Sequence, residues 1–159
     1  MQIYLLRHGI AEDYSPTGKD ADRRLTADGK RKLAAVLKLA SAAGVKPSLI
    51  LSSPLVRARQ TAEMAAKELN CKEEILETRT LEPGGDPEEV WAEIRLYRDK
   101  PQLLLAGHEP LFSRLGAFLL NAPALEIDFK KGALLRVDCE SLGPRPRGIL
   151  KWFLAPRLA

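Results

Sequence analysis

Three short apolar runs constrain this chain most: residues 2–6 (QIYLL), 47–54 (PSLILSSP), ending at Ser52-Ser53, and 102–107 (QLLLAG). Each is almost continuously apolar, as a strand buried on both faces must be. None approaches the length needed to span a bilayer. Between them lie stretches with helical spacing. In residues 26–43, Leu33, Val36, Leu37 and Ala40 form one apolar stripe, Thr26 stands where a cap is needed, and Gly44 ends the pattern. A second helix is predicted from Leu55 to Asn70, with Ser53 as its cap and Pro54 in its first turn. A third starts near Pro87, with Trp91, Ile94 and Leu96 packing inward. A fourth follows His108 and ends at Asn121. Shorter strands are expected at 75–78, 133–138 and 148–154, with Trp152 and Phe153 in the last, one facing in and one covering an edge. Residues 11–25, with Pro16 and Gly18, read as a long loop.

Strands alternating with helices imply an α/β fold: one three-layer α/β/α domain over residues 1–159 around a mostly parallel sheet. The 159 residues suffice for one such core. The apolar stretch at the N-terminus is cut by Arg7 and has no basic leader, so a cytoplasmic protein without membrane contact is expected. Cys71 and Cys139 are isolated and argue for neither a disulfide scaffold nor a zinc site. The net charge of +4 suits anionic partners such as phosphate or an acidic protein. The basic residues are scattered and carry no nucleic-acid-binding signature, so no nucleic acid partner is expected. A monomer is the default expectation.

In sheets of this kind, ligands bind outside the carboxyl ends of the strands. Three segments meet that description: Arg7-His8-Gly9, Ser52 to Arg57, and Gly107-His108-Glu109-Pro110. The chain has only two histidines, and each directly follows a buried strand. Arg7 and Arg57 stand near them, and Arg57 falls in the first turn of its helix, where backbone N–H groups add to the positive field. This set suits a phosphoryl group. Guanidinium forks match its oxygens, imidazole is a competent nucleophile, and a protonated His108 would add a second cation. Gly9 would leave room for close approach. Two histidines without clustered acids or thiols make a poor transition-metal site, so neither metal nor cofactor is expected.

The segments LLRHG, SSPLVRARQTA and GHEP, in this order, resemble the histidine phosphatase superfamily, known for its Arg-His-Gly motif and phosphoglycerate-mutase-like fold. RRLTADGKRKL, LEPGGD and KKGAL look most like the SixA-type phosphohistidine phosphatases within it. The resemblance implies a metal-independent phosphatase whose pocket is Arg7, His8, Arg57 and His108. It further implies that His8 is transiently phosphorylated and that water then releases phosphate. Gly9, Glu109 and Arg24 join the phosphate-binding candidates, Arg24 because it precedes the first helix. Lys131 is a weaker one. The implied partners are phosphate ion and a protein bearing phosphohistidine, with a phosphotransfer domain as one candidate bearer.

Ester-cleaving members of the superfamily protonate the leaving oxygen with an acidic residue. Glu82 is the first candidate here and Asp86 the second. General acid catalysis is typically worth roughly a hundred- to ten-thousandfold. An alkyl phosphatase cannot forgo that, whereas the labile P–N bond of phosphohistidine needs less help. The short chain leaves little room for the substrate-covering insertions of the sugar-phosphate mutases, and the open mouth, shaped by Asp20, Asp22, Arg23 and Arg24, would admit a histidine on another protein. Two rivals remain: a general small-molecule phosphomonoesterase of the same superfamily, and a phosphate-binding module without turnover, against which the intact His8 argues.

Overall fold

The computed structural model describes residues 1–159. Its strands are β1 (Gln2–Arg7), β2 (Leu49–Ser52), β3 (Leu76–Glu77), β4 (Gln102–Gly107), β5 (Leu134–Asp138) and β6 (Ile149–Leu154). Its helices are α1 (Ala27–Ala42), α2 (Val56–Glu68), α3 (Pro87–Leu96) and α4 (Leu111–Leu119), joined by short 3-10 turns at Asp20–Asp22, Arg79–Leu81 and Pro156–Leu158. The six strands form one sheet in the order β3-β2-β4-β1-β5-β6. The first four run parallel, and β5 and β6 add an antiparallel flank. The mostly parallel α/β sheet expected from the apolar runs is what the chain forms.

Strand alternation sends each central strand's side chains into two cores. Ile3, Leu5, Leu103 and Leu105 pack with Val90, Trp91 and Ile94 of α3 and Phe112 and Leu115 of α4. Tyr4, Leu6, Leu104 and Ala106 pack with Leu33, Val36 and Leu37 of α1 and Ala62 and Ala65 of α2. Both faces are covered, which is why these strands read as unbroken apolar runs. On the flank, Trp152 stacks on Tyr4 at 6.0 Å, and Phe153 packs edge-on to Phe129 at 5.2 Å. The two neighbours on β6 thus serve opposite faces.

Some local expectations differ. Thr26 caps α1 as expected, accepting the Gly29 N–H at 2.9 Å. Ser53 does not cap α2. The cap position is Leu55, the helix begins at Val56, and Pro54 lies before its first turn. Leu96 is exposed at the end of α3 while Trp91 and Ile94 are buried. The loop at 11–25 is tied down by a bridge between Ala11 and Leu25 and by the turn at Asp20–Asp22. Asn70 and Asn121 adopt positive φ just beyond α2 and α4, where a left-handed residue stops a helix.

No helix is long and apolar enough to cross a membrane. Cys71 and Cys139 are both free, and no group of three or more His, Cys, Asp or Glu side chains could hold a metal ion.

Candidate active site

Six polar or charged residues are buried in this chain: His8, Ser52, Ser53, Arg57, Thr61 and His108. Burying a polar group is costly unless it is bonded, and all six cluster near the carboxyl ends of β1, β2 and β4 in two bonded groups, His8 with Thr61 and Arg57, and His108 with Ser53 and Ser52. The strand register explains it. β1 and β4 are adjacent and parallel, with Arg7 opposite Gly107, so His8 and His108 leave the sheet side by side. Their rings stand 5.1 Å apart, inclined at 53°.

His8 is held from both sides. Its backbone N–H donates to Gly107 O at 2.9 Å, and its carbonyl accepts from Gly132 N–H at 2.9 Å. Gly132 makes that turn with φ of 79°. The ring Nδ1 lies 2.7 Å from Gly9 O. A carbonyl only accepts, so Nδ1 carries the proton and Nε2 keeps its lone pair. Gly9 in turn donates to Thr61 Oγ1 at 3.2 Å, and the Thr61 hydroxyl donates to Arg57 O at 2.8 Å. Gly9 therefore orients the imidazole through its carbonyl. A side chain there would meet Gly29 and Leu25 at 3.4 Å, an ordinary contact.

His108 Nε2 meets Ser53 Oγ at 2.8 Å. Ser53 Oγ also accepts the Leu55 N–H at 3.3 Å. The other ring nitrogen of His108, Nδ1, is buried without a partner. The site's other orphan is Arg7 Nε, while Arg7 Nη1 donates to Phe129 O at 2.6 Å.

Burial pushes His8 down to about 4, with Arg57, Arg7 and Lys131 adding to the effect against the Gly9 hydrogen bond. Burial also pushes His108 down to about 3, and the neighbouring His8, Arg57 and Arg7 act in the same direction. Both rings are therefore neutral near neutral pH. His108, expected as a second cation, is thus a neutral ring near neutral pH in the absence of a bound anion.

Arg57 is the second residue of α2, as its role at a helix start requires. Its guanidinium donates to Asp20 O at 3.0 Å and to Asp20 Oδ2 at 3.2 Å. Arg23 Nη1 holds Asp20 Oδ1 at 2.9 Å, and these bonds keep the Asp20 carboxyl below its usual range.

The remaining candidates divide. Glu109 Oε1 accepts the Ser113 N–H at 2.6 Å, so it serves the start of α4, and its negative charge faces Arg7. Any contact of Glu109 with a phosphate would therefore come from its backbone N–H, because the carboxylate only accepts. Arg24 is exposed, and its side chain makes no hydrogen bond or ion pair; Arg23 is the arginine of that loop that reaches Asp20. Asp86 caps α3 by accepting the Glu88 N–H at 2.8 Å. Glu82 closes the turn at Arg79–Leu81, half-buried, with no side-chain partner. That turn leans on the site, because Leu81 O lies 3.2 Å from where a side chain on Gly107 would begin. Lys131 precedes Gly132 and lines a cavity beside Arg7. Ser53 and Thr61 escaped the sequence reading as site residues, since a serine before a helix and a threonine within one have commoner uses.

A buried imidazole pair just beyond the ends of adjacent parallel strands, with two arginines in the same site, defines a class, and the family comparison agrees. Residues 3–99 match the model of the histidine phosphatase superfamily (branch 1), and the chain belongs to that superfamily. An uncharacterized protein of Picosynechococcus sp. is 37% identical over 113 residues, covering 69% of this chain and 67% of that protein. Among solved structures, the protein histidine phosphatase SixA in complex with tungstate superposes with a TM-score of 0.88 at 26% identity, covering 99% of this chain and 98% of the other. Mycobacterial glucosyl-3-phosphoglycerate phosphatase shares the fold, with a TM-score of 0.70 at 17% identity over 94% and 96% of the two chains.

Proposed function

We propose that this protein is a phosphohistidine phosphatase acting on a phosphorylated protein. The observation that carries the reading is the pair of buried, unpartnered nitrogens, Arg7 Nε and His108 Nδ1, in the site that holds the His8 imidazole, whose Nδ1 is bonded to Gly9 O. Buried polar atoms without partners are rare in folded proteins, and a phosphoryl group supplies oxygens for the Arg7 Nε–H and for a proton on His108 Nδ1. The likeness to SixA supports the substrate class.

In the proposed reaction the phosphoryl oxygens are gripped by Arg7, Arg57 and His108. His8 Nε2 attacks phosphorus and forms a new N–P bond as the substrate's N–P bond breaks. The substrate imidazole departs with the electron pair of that bond and takes a proton from solvent. Water then attacks the phosphorus on His8 as the His8 N–P bond breaks, its proton passes to solvent, and phosphate leaves with His8 restored. No step uses a metal. Charge arriving with the phosphoryl group offsets the cationic field and raises the affinity of both rings for protons. The unit so proposed runs to residue 159, because His108 and Lys131 lie beyond the matched segment.

The runner-up is a phosphatase for small phosphoesters, favoured by the Glu82 carboxylate, which has no side-chain partner and follows Leu81, whose carbonyl lies against Gly107 at the end of β4. The test mixes the enzyme with a phosphohistidine peptide and, separately, with p-nitrophenyl phosphate and sugar phosphates. The proposal expects an acid-labile phosphoenzyme mapped to His8, lost in His8→Ala, and faster turnover of phosphohistidine. Esters cleaved far better, with that activity abolished by Glu82→Gln, would establish the runner-up.

A further inference from the structure

A cavity of about 710 Å³ opens beside Arg7 and is lined by five cations: Arg7, Lys32, Lys130, Lys131 and Arg157. No carboxylate and no aromatic ring lines it. Lys32 and Lys130 each have a carboxylate behind them, Asp28 and Asp128, both at 3.0 Å. Lys131 and Arg157 form no salt bridge. The cavity is joined to the reacting ring through backbone. Gly132, whose N–H holds the His8 carbonyl, packs against the Pro156–Leu158 turn that carries Arg157, and a side chain on Gly132 would begin 3.2 Å from Pro156 Cγ. Five like charges around one hollow repel each other, and an anion entering it relieves that repulsion.

We propose that this cleft docks an acidic segment of the substrate protein, with Asp or Glu side chains near the phosphohistidine meeting Lys131 and Arg157 while the phosphoryl group sits at His8. The inference rests on the phosphohistidine reading and deepens it. Continuity with Arg7 places the acidic groups on the same molecule as the phosphoryl group. The want of any ring on which bases could stack argues against single-stranded nucleic acid as the occupant.

The test uses phosphohistidine peptides that differ only in their flanks: glutamates, alanines or lysines. Binding is measured by calorimetry to His8→Ala, which cannot react, and turnover is measured with the wild type. The glutamate peptide should bind about tenfold tighter than the alanine peptide at low salt, the order that two partly exposed ion pairs supply. The advantage should shrink toward nothing at about 0.5 M salt, where charges at the surface are screened within a few ångströms. Adding Lys32→Glu and Arg157→Glu, both outside the catalytic set, should remove the preference and leave the alanine peptide unaffected, which also reports an intact fold. Equal affinity for the glutamate and alanine peptides, or a preference that survives the two reversals, overturns the docking proposal. Binding preference without any hydrolysis or phosphoenzyme would overturn the phosphatase reading and leave the docking cleft standing. Hydrolysis without preference would do the opposite.

Discussion

At the scale of single residues, the site depends on a neutral imidazole in a field that disfavours its protonation. In the proposed reaction a protonated His8 cannot attack, so activity should be lost as pH falls through the pKa of the ring. With His8 pushed down to about 4, kcat/KM should hold from neutral pH to about 5 and fall only below it. The acid limb of kcat should lie at higher pH, because bound phosphoryl charge favours the protonated ring. Rate measurements from pH 3.5 to 8 check this, and an acid limb of kcat/KM near 6.5 would contradict it. Asp20 gives a second expectation. Its carboxylate stands 3.2 Å from Arg57 and competes with any oxyanion for that guanidinium. Asp20→Asn keeps an acceptor there and removes the charge. Because the Asp20 side chain is 65% exposed, the gain is screened, and inhibition by inorganic phosphate should tighten only about two- to fivefold. Weaker inhibition would mean that the carboxylate chiefly holds Arg57 in place. Arg57→Ala should weaken phosphate binding and turnover together.

At the scale of elements, a glycine early in α1 reverses a general rule. An exposed helical Gly→Ala change usually gains about 1 kcal/mol. Gly29 sits instead against the chain just beyond the Arg-His-Gly segment, and a Cβ there would begin 2.2 Å from Ile10 O. Main chain cannot swing aside as a flexible side chain can. Gly29→Ala should therefore destabilise by roughly 2–3 kcal/mol, at the upper end of overpacking costs, and should lower turnover through the His8 loop; thermal melting with assay checks both. The same elements show what could be read in advance. The strands β1, β2 and β4 were legible because both faces are buried, and the stripe of α1 because one face is. Arg7, His8, Arg57 and His108 were legible as candidates because strand ends concentrate ligand contacts. Ser53 was misread because a serine before a helix has one common use, and only the third dimension shows His108 opposite it. Asp20 was legible as part of the mouth, but its bond to Arg57 spans 37 positions in the chain and has no local signature. Glu109 reads as part of a binding motif because it follows His108, and the bond of its carboxylate to the helix behind it has no local signature.

At the scale of the whole molecule, the buried histidines set the response of stability to acid. Both have lower proton affinity folded than unfolded, so the unfolded chain binds more protons between the two pKa values and stability rises with pH there. For His8 that window runs from 6.5 down to about 4, a difference worth roughly 3 kcal/mol. For His108 it continues to about 3. Carboxylates whose pKa is already depressed, such as Asp20, lose their contribution at still lower pH. Tm should thus fall steadily from pH 6.5 to 4, and His8→Gln should flatten part of that slope; a Tm that holds constant across this range would refute the assignment.

The 5.1 Å between the two rings matches the spacing of neighbouring strands, about 4.8 Å. The gauge that sets the reacting distance is therefore the hydrogen-bonded ladder at the centre of the sheet, the part of a domain that opens last on heating. Catalysis and folding should then fail at one temperature, with no milder inactivation beforehand. One residue inserted into β4 would swing the second imidazole into the opposite layer and silence the enzyme while its backbone still folded.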